Sequence, residues 1–329
     1  MSIKKFYQKK TILVAGGTGL VGTQLIEILS RFGSKVISVS LDKIKYNFHN
    51  VKFVKSDLRY LDNCINLTKN VDIIINLAGV AGSPKITKIK PRSIFVPNIL
   101  FGINLLEAAI KNKVKTFVYA SSYGVYSPNK EMREDNMWEY NLSPHDQFGG
   151  WAKRTVELHI KSVKAEYNGM FLPIIRPGNI YGPYGNFDTK NAMVVTSLIN
   201  KITSGLKEVK ILGDGTQKRD FVFSADVANC IIEILYKRLD DVYNIGTGKG
   251  TTIRELAETI KEVSKSNSKL VYDNSKKTGD QNRILNVEKI NKEKIFCNTS
   301  LKEGLKLTIN WYLQNKLFYK KRFNSFNEK

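Results

Sequence analysis

The sequence predicts an α/β fold: a doubly wound parallel sheet followed by a smaller C-terminal α/β lobe. Three observations carry this. Short apolar runs alternate with amphipathic stretches, as successive β-α-β units do. A glycine-rich crossing follows the first run directly. After residue 177 the texture changes, with Gly, Pro and Asn clustered over 177–191 and helical patterns separated only by short strand-like pieces.

Taken in order, the start MSIKKFYQKK is charged and is expected to lead straight into a strand. The strand candidates are TILVA (11–15), KVISVS (35–40), VKFV (51–54), VDIIINLA (71–78), KTFVYA (115–120) and FLPIIR (171–176). They are apolar on both faces, which places the sheet between two helical layers. Helical periodicity is clearest over 18–32, 93–111 and 147–167, and further helices are expected near 192–204, 224–238, 252–264 and 300–315. There is no internal repeat and no low-complexity linker. The expected division is therefore 1–180 and 181–329, the second part packed on the first, with some segments crossing between them. The tail after Lys316 is basic and reads as frayed.

Composition narrows the function classes. With 329 residues, 42% of them hydrophobic, the chain can bury a large core. Its 52 Lys+Arg against 30 Asp+Glu leave a net charge of +22, which attracts anions. The lysines are scattered, however (Lys4, Lys5, Lys9, Lys10, Lys111, Lys113, Lys115, Lys276, Lys277), and no basic helix alternates with aromatics. A nucleic-acid face is not expected. Three cysteines, Cys64, Cys230 and Cys297, have no ligand spacing, so a reducing compartment is expected and neither a metal site nor a disulfide framework. No apolar run approaches the roughly 18 residues of a membrane helix. A soluble cytoplasmic protein without a membrane partner is the expectation.

The first chemical motif is Gly16-Gly17-Thr18-Gly19-Leu20-Val21-Gly22, between the first strand and the first helix. Glycines at 16, 19 and 22 permit a tight turn, close approach of the backbone to a diphosphate, and a helix N-terminus aimed at the phosphates. Gly16, Thr18, Gly19, Leu20, Val21 and Gly22 are therefore placed against a dinucleotide. Asp42, after the second strand, suits a ribose diol and favours NAD, although Ser40 competes for the strand end and Lys43 and Lys45 leave NADP open. Asp57-Leu58 could hold the adenine edge, or Asp57 could simply cap the next helix. Leu77-Ala78-Gly79, after Asn76, lets the chain pass over the cofactor.

With these motifs the chain resembles the extended short-chain dehydrogenase/reductases, the Rossmann-type NAD-dependent epimerase/dehydratase group acting on nucleotide sugars. The resemblance covers roughly residues 10–316. It rests also on Ser121-Ser122 with Val125-Tyr126, Arg176-Pro177-Gly178-Asn179-Ile180-Tyr181-Gly182-Pro183, Gly213-Asp214-Gly215, Arg219-Asp220-Phe221 and Tyr243-Asn244-Ile245-Gly246. It implies that Ser122 is the catalytic hydroxyl, that Lys153 holds the nicotinamide ribose, and that Pro177 and Asn179 line the cofactor or substrate. Asn179, Lys190, Asn191, Arg219 and Arg283 are implied on the sugar nucleotide, the arginines on its diphosphate.

One position departs from the pattern. The family's tyrosine should stand four residues before Lys153, and Gly149 stands there. Phe148 points about 100° away on the helix and has no hydroxyl. Three readings follow: another group takes the proton, with Tyr123, Tyr126, His145 and Asp146 nearby; water relays to Lys153 or Ser122; or catalysis is lost and a binding relative remains. Tyr123 is the named catalytic candidate; Tyr126 reads equally as packing, His145 as a loop residue and Trp151 as core.

The expected function is NAD-dependent oxidation or reduction at C4 of a nucleotide sugar. Gly149-Gly150-Trp151-Ala152-Lys153-Arg154 after Asp146-Gln147-Phe148, with Asn186-Phe187-Asp188 and Asn191-Ala192-Met193-Val194, is similar to bacterial enzymes of GDP-linked sugars and to GDP-fucose synthase-like proteins. A GDP-manno-heptose 4-dehydrogenase for surface polysaccharide is the sharpest form. An epimerase or dehydratase that recycles NAD is the alternative. The long helices at 93–111 and 147–167 resemble those that pair relatives into homodimers.

Overall fold

The computed structural model describes residues 1–42, 44, 46–128, 130–188, 191–275 and 279–328. Among them seven parallel strands form one sheet, ordered Val242–Ile245, Ile174–Pro177, Thr116–Ala120, Ile73–Asn76, Thr11–Ala15, Lys35–Ser40, Val51–Lys55. Chain order reverses between Thr11–Ala15 and Ile73–Asn76. That reversal opens a crevice at the carboxyl ends of the strands, where ligands of such sheets bind.

Alternation along the first strand shows why the sheet is covered twice. Ile12 and Val14 face one cluster, with Leu25, Ile26 and Leu29 of the helix Leu20–Arg31 and Val227 and Ile231 of the helix Ser224–Tyr236. Leu13 and Ala15 face the other, with Leu105 and Ala109 of Arg92–Lys111 and Val156 and Ile160 of Gln147–Glu166. Each of the larger of these, Leu, Ile or Val, contributes about 1.5–3 kcal/mol by leaving water. A third cluster, including Leu198, Ile199, Phe221, Leu256, Ile260, Leu305 and Ile309, forms the small lobe. Its helices are Val194–Ile202, Ile253–Ser264 and Leu301–Gln314, beside the parallel pair Glu208–Leu212 and Lys269–Asp273. The chain re-enters the main sheet late: Val242–Ile245 pairs with Ile174–Pro177, setting Asn244 opposite Arg176.

Three features differ from expectation. A short helix, Ile3–Tyr7, precedes the first strand; Ser2 caps it, and the buried Tyr7 hydroxyl donates to the Ile232 carbonyl at 2.7 Å. Five residues are too few to register a helical period. Secondly, the helix Arg92–Lys111 is long and apolar enough by length and composition to cross a membrane. Its apolarity is matched by what it packs on: the sheet on one side and Gln147–Glu166 on another. Thirdly, the tail is not frayed. It forms turns at Phe318–Lys321 and Ser325–Asn327 and lies on the first half of the molecule, with Phe326 buried.

Candidate active site

The glycine crossing is shaped by what a side chain would strike. Gly16 has φ +74°, and a Cβ there would come within 2.9 Å of the Leu77 carbonyl oxygen. A Cβ on Gly22 would collide with the Gly16 carbonyl. Gly19 caps the helix Leu20–Arg31 without a side-chain hydrogen bond, leaving the first-turn N–H groups of Leu20, Val21 and Gly22 for an anion. Thr18 Oγ1 lies 2.7 Å from both Ser40 Oγ and Asp42 Oδ2, and the Asp42 N–H donates to Ser40 Oγ at 3.0 Å. Ser40 thus braces Asp42, and the carboxylate is the group presented at the strand end. Lys43 and Lys45 lie outside the described residues.

The neighbouring loops are held locally. Asp57 accepts from the Arg59 backbone at 2.9 Å and from its guanidinium at 2.6 to 3.0 Å. Burial pushes its carboxyl pKa up, but these bonds prevail and hold it below the usual range. Asp57 does not cap the following helix, whose N-cap is Tyr60. Leu58 is buried in the second core cluster. Asn98 accepts from the Val80 N–H at 2.9 Å and donates to its carbonyl at 3.0 Å, fixing the loop that carries Leu77, Ala78 and Gly79.

Lys153 reaches the same strand ends. Its Nζ donates to the Ala120 carbonyl at 2.7 Å and sits 4.8 Å from the Tyr119 ring centroid. A Cβ on Gly79 would be 3.7 Å from that nitrogen, and Ser122 lies two residues beyond Ala120. The Ser122 Oγ accepts the Gly124 N–H at 3.0 Å. Burial pulls the Lys153 pKa down to about 8, against the opposing charge of Glu157. At Gly149 there is room, since an added Cβ would meet only Ile94 Cγ2, at 3.8 Å. Gly150 has none: its Cβ would strike the Gly124 carbonyl, so glycine is what lets this helix close on the Ser122 turn.

Of the four groups near the missing tyrosine, Tyr123, Tyr126 and Asp146 are otherwise engaged. Tyr126 is buried, donates to Asn244 Oδ1 at 2.6 Å and accepts from Arg176 at 2.7 Å. The Tyr123 hydroxyl donates to Asn179 Oδ1 at 2.9 Å, and burial raises its pKa, Arg283 and Arg219 opposing. His145 is an exposed loop residue. Asp146 is ion-paired with Arg283.

Around Tyr123 the structure gathers the residues implied on the diphosphate. The Arg283 guanidinium lies 4.5 Å from the Tyr123 centroid and is 5% exposed; Nη1 pairs with Asp146, with Asp280 at 3.7 Å, while Nε and Nη2 have no hydrogen-bond partner among the described residues. Asn179 Nδ2 is likewise buried without a partner among the described residues. Both residues contact Tyr123, and buried donors left open around one site are what an anionic ligand satisfies. Burial first, then the Arg283 charge, lowers the Arg219 pKa, and Arg219 Nη2 and His145 Nε2 lie 3.9 and 3.5 Å from a Cβ built on Gly279. Pro177 ends its strand opposite Ile245 and is buried. Asn191 donates to Asp188 at 3.3 Å within its own turn. Lys190 lies outside the described residues.

Sequence reasoning missed the layer beneath. Glu157, 3% exposed, pairs with Arg176 at 2.6 Å and accepts from Ser121; Arg176 also donates to the Glu134 carbonyl. Asn244 donates to the Met132 and Asn286 carbonyls, and Arg154 to those of Val125, Met137 and Tyr140. These groups clamp the loops after Ser122 to the sheet. Glu157 was legible as the i+4 neighbour of Lys153 on one helical face. Trp151 is corrected: it is 44% exposed, with the Arg154 guanidinium 5.3 Å from its ring, because Ala152 and Val156 turn the opposite face inward. Among the described residues no three His, Cys, Asp or Glu side chains converge as a metal site requires.

The cradle suits NAD: the glycines sit where any Cβ would fill the crossing, the helix end has no side-chain cap, and the Asp42 carboxylate stands at the end of the second strand, where a ribose diol would be held. Comparison with known proteins agrees. Residues 12–246 match the model of the "NAD dependent epimerase/dehydratase family". A Methanocaldococcus jannaschii protein assigned as a UDP-glucose 4-epimerase is 33% identical over 92% of this chain and 99% of its own. GDP-L-fucose synthase 1 of Arabidopsis thaliana is 26% identical over 92% and 93%. The UDP-glucose 4-epimerase of Thermotoga maritima, solved with UDP-glucose, superposes with a TM-score of 0.80 at 28% identity, covering 93% and 99% of the two chains. The chain therefore belongs to the NAD-dependent epimerase/dehydratase family, with NAD as its cofactor.

Proposed function

We propose that the protein is a cytoplasmic, homodimeric NAD-dependent oxidoreductase that oxidises C4 of a GDP-linked sugar, of the GDP-manno-heptose type, for surface polysaccharide. The observation that supports a nucleotide-diphosphate substrate is the buried Arg283, with two guanidinium nitrogens open among the described residues, on the same Tyr123 that holds Asn179. The GDP preference draws on the motifs around Asp146 and Asn186 and on the likeness to a GDP-L-fucose synthase. Phe148, Trp151 and Leu158, all exposed on Gln147–Glu166, suit burial against a second copy. Mass spectrometry of nucleotides released from the purified protein, and of products after incubation with GDP-, UDP- and dTDP-sugars, tests the reading. Turnover of UDP-sugars alone would remove the GDP assignment. A 4-epimerase reading shares the site and has the Thermotoga likeness in its favour.

Held by the Gly16–Gly22 crossing and Asp42, NAD would supply the hydride acceptor for the sugar carbon. The chain must orient the sugar and take the proton of the hydroxyl. Ser122 presents its Oγ at the strand end to hold that hydroxyl. With no tyrosine, and with Tyr123, Tyr126 and Asp146 engaged, Lys153 is the group suited to take the proton, directly or through a water. Its pKa of about 8 gives a sign. Sugar oxidation requires the neutral amine, so kcat should fall as pH drops through about 8; reduction requires the ammonium and should fall above it. A flat profile between about pH 7 and 9 would exclude Lys153 as the proton acceptor.

Gly149→Tyr checks the gap itself. The site has room for the ring at its root, and a phenol beside the Lys153 ammonium would restore the family's pair. The expected result is a gain in kcat of about tenfold or more near neutral pH. No gain would mean that the proton path had been rebuilt elsewhere.

A further inference from the structure

The segment from 318 to 328 leaves the small lobe and lies across the adenosine end of the cofactor cradle. Arg322 donates to the Tyr184 carbonyl, holds its Nε 3.9 Å from Asp42, and reaches to 3.8 Å from where a Cβ on Gly19 would stand. The Phe323 N–H donates to Asp42 Oδ1 at 2.6 Å. Phe326, 5% exposed, packs where a Cβ on Gly82 would be 2.9 Å from its ring, and Lys90 donates to its carbonyl. Glu328 accepts two bonds from Arg59, at 2.6 and 2.7 Å, and Arg59 in turn holds Asp57. Three positions that serve the adenosine half of a dinucleotide, at Gly19, Asp42 and Asp57, are thus tied to one segment.

The decisive group is Asp42. One carboxylate oxygen is taken by Thr18 and the other by the Phe323 backbone. A ribose diol needs that carboxylate as its acceptor, and with the segment in place the Asp42 side chain is only 8% exposed, with the Arg322 guanidinium and the Phe323 backbone against it. Adenosine and the segment therefore exclude one another. We infer that residues 318–328 are a built-in plug, and that NAD binds by displacing it. The inference rests on the assignment of NAD to this cradle.

Competition of this kind multiplies the cofactor's intrinsic affinity by the fraction of molecules with the segment released, so the apparent dissociation constant rises by the inverse of that fraction. A segment docked about nine-tenths of the time weakens NAD about tenfold. The test is calorimetric titration of NAD into the full chain, into Phe326→Ala and into Glu328→Gln, with tryptic cleavage at Lys320, Lys321 and Arg322 followed with and without NAD. Both substitutions alter the plug and leave the cradle intact. Expected are tighter NAD binding in the variants, about tenfold for Phe326→Ala, and faster cleavage when NAD saturates the wild type. Equal or weaker binding in both variants, or protection of the segment by NAD, would overturn the plug while leaving the cofactor assignment standing. Absence of NAD binding in all three proteins would overturn both.

Discussion

Lys153→Ala should lower kcat by about 10²- to 10⁴-fold, the range for removing a positioned proton-transfer group. It should also weaken NAD, because the same Nζ that donates to the Ala120 carbonyl at 2.7 Å stands at the strand ends beside Gly79 and Ser122. In relatives with a tyrosine, part of such a loss would belong to the phenol that the lysine activates. Here Gly149 removes that contribution, so the whole effect falls on the amine. Steady-state kinetics of the variant across pH, with NAD affinity measured separately, distinguishes the two effects. Activity equal to the wild type would eliminate Lys153 as the centre of the chemistry.

Glu157→Ala should cost about 3–5 kcal/mol of stability, the toll of leaving one member of a buried pair uncompensated. Glu157 and Arg176 are each 3% exposed at the side chain, and the carboxylate also receives Ser121. Arg176 would keep only Tyr126 and the Glu134 carbonyl, so the turn carrying Ser122 would loosen as well. Replacing both partners, Glu157→Leu with Arg176→Met, should recover much of the loss, since apolar groups of similar volume avoid the orphaned charge. Urea unfolding measures both variants. A single variant with an unchanged midpoint would show that the pair contributes nothing.

Much of the architecture was legible because its signals are local. The strands of the first half are contiguous apolar runs, and the glycines at 16, 19 and 22 stand between a strand and a helix whose contacts demand them. What stayed hidden depends on distant partners. The tetrad Val242–Ile245 is too short to announce that it extends the main sheet; its place comes from pairing with Ile174–Pro177. Asn244 becomes meaningful only when that pairing brings it to Tyr126, Met132 and Asn286. Arg283 could be named from its motif, but its pairing with Asp146, 137 positions earlier, could not. The basic tail looked featureless because its order comes from partners far away in the chain, among them Asp42, Lys90, Arg59 and Tyr184. Trp151 misled for the opposite reason, since a large aromatic at helical spacing was read as core although its face of the helix is exposed.

The proposed oxidation requires the glycine cradle and Lys153, without the family's tyrosine, to move a hydride out of a nucleotide sugar. Absorbance near about 340 nm, followed after mixing purified protein and NAD with GDP-, UDP- and dTDP-sugars, reads this directly. A rise with at least one of these sugars in the wild type, and none in Lys153→Ala, is the predicted result. NAD bound at one per chain with no rise for any sugar would contradict it, and would leave a protein that binds the cofactor without using it.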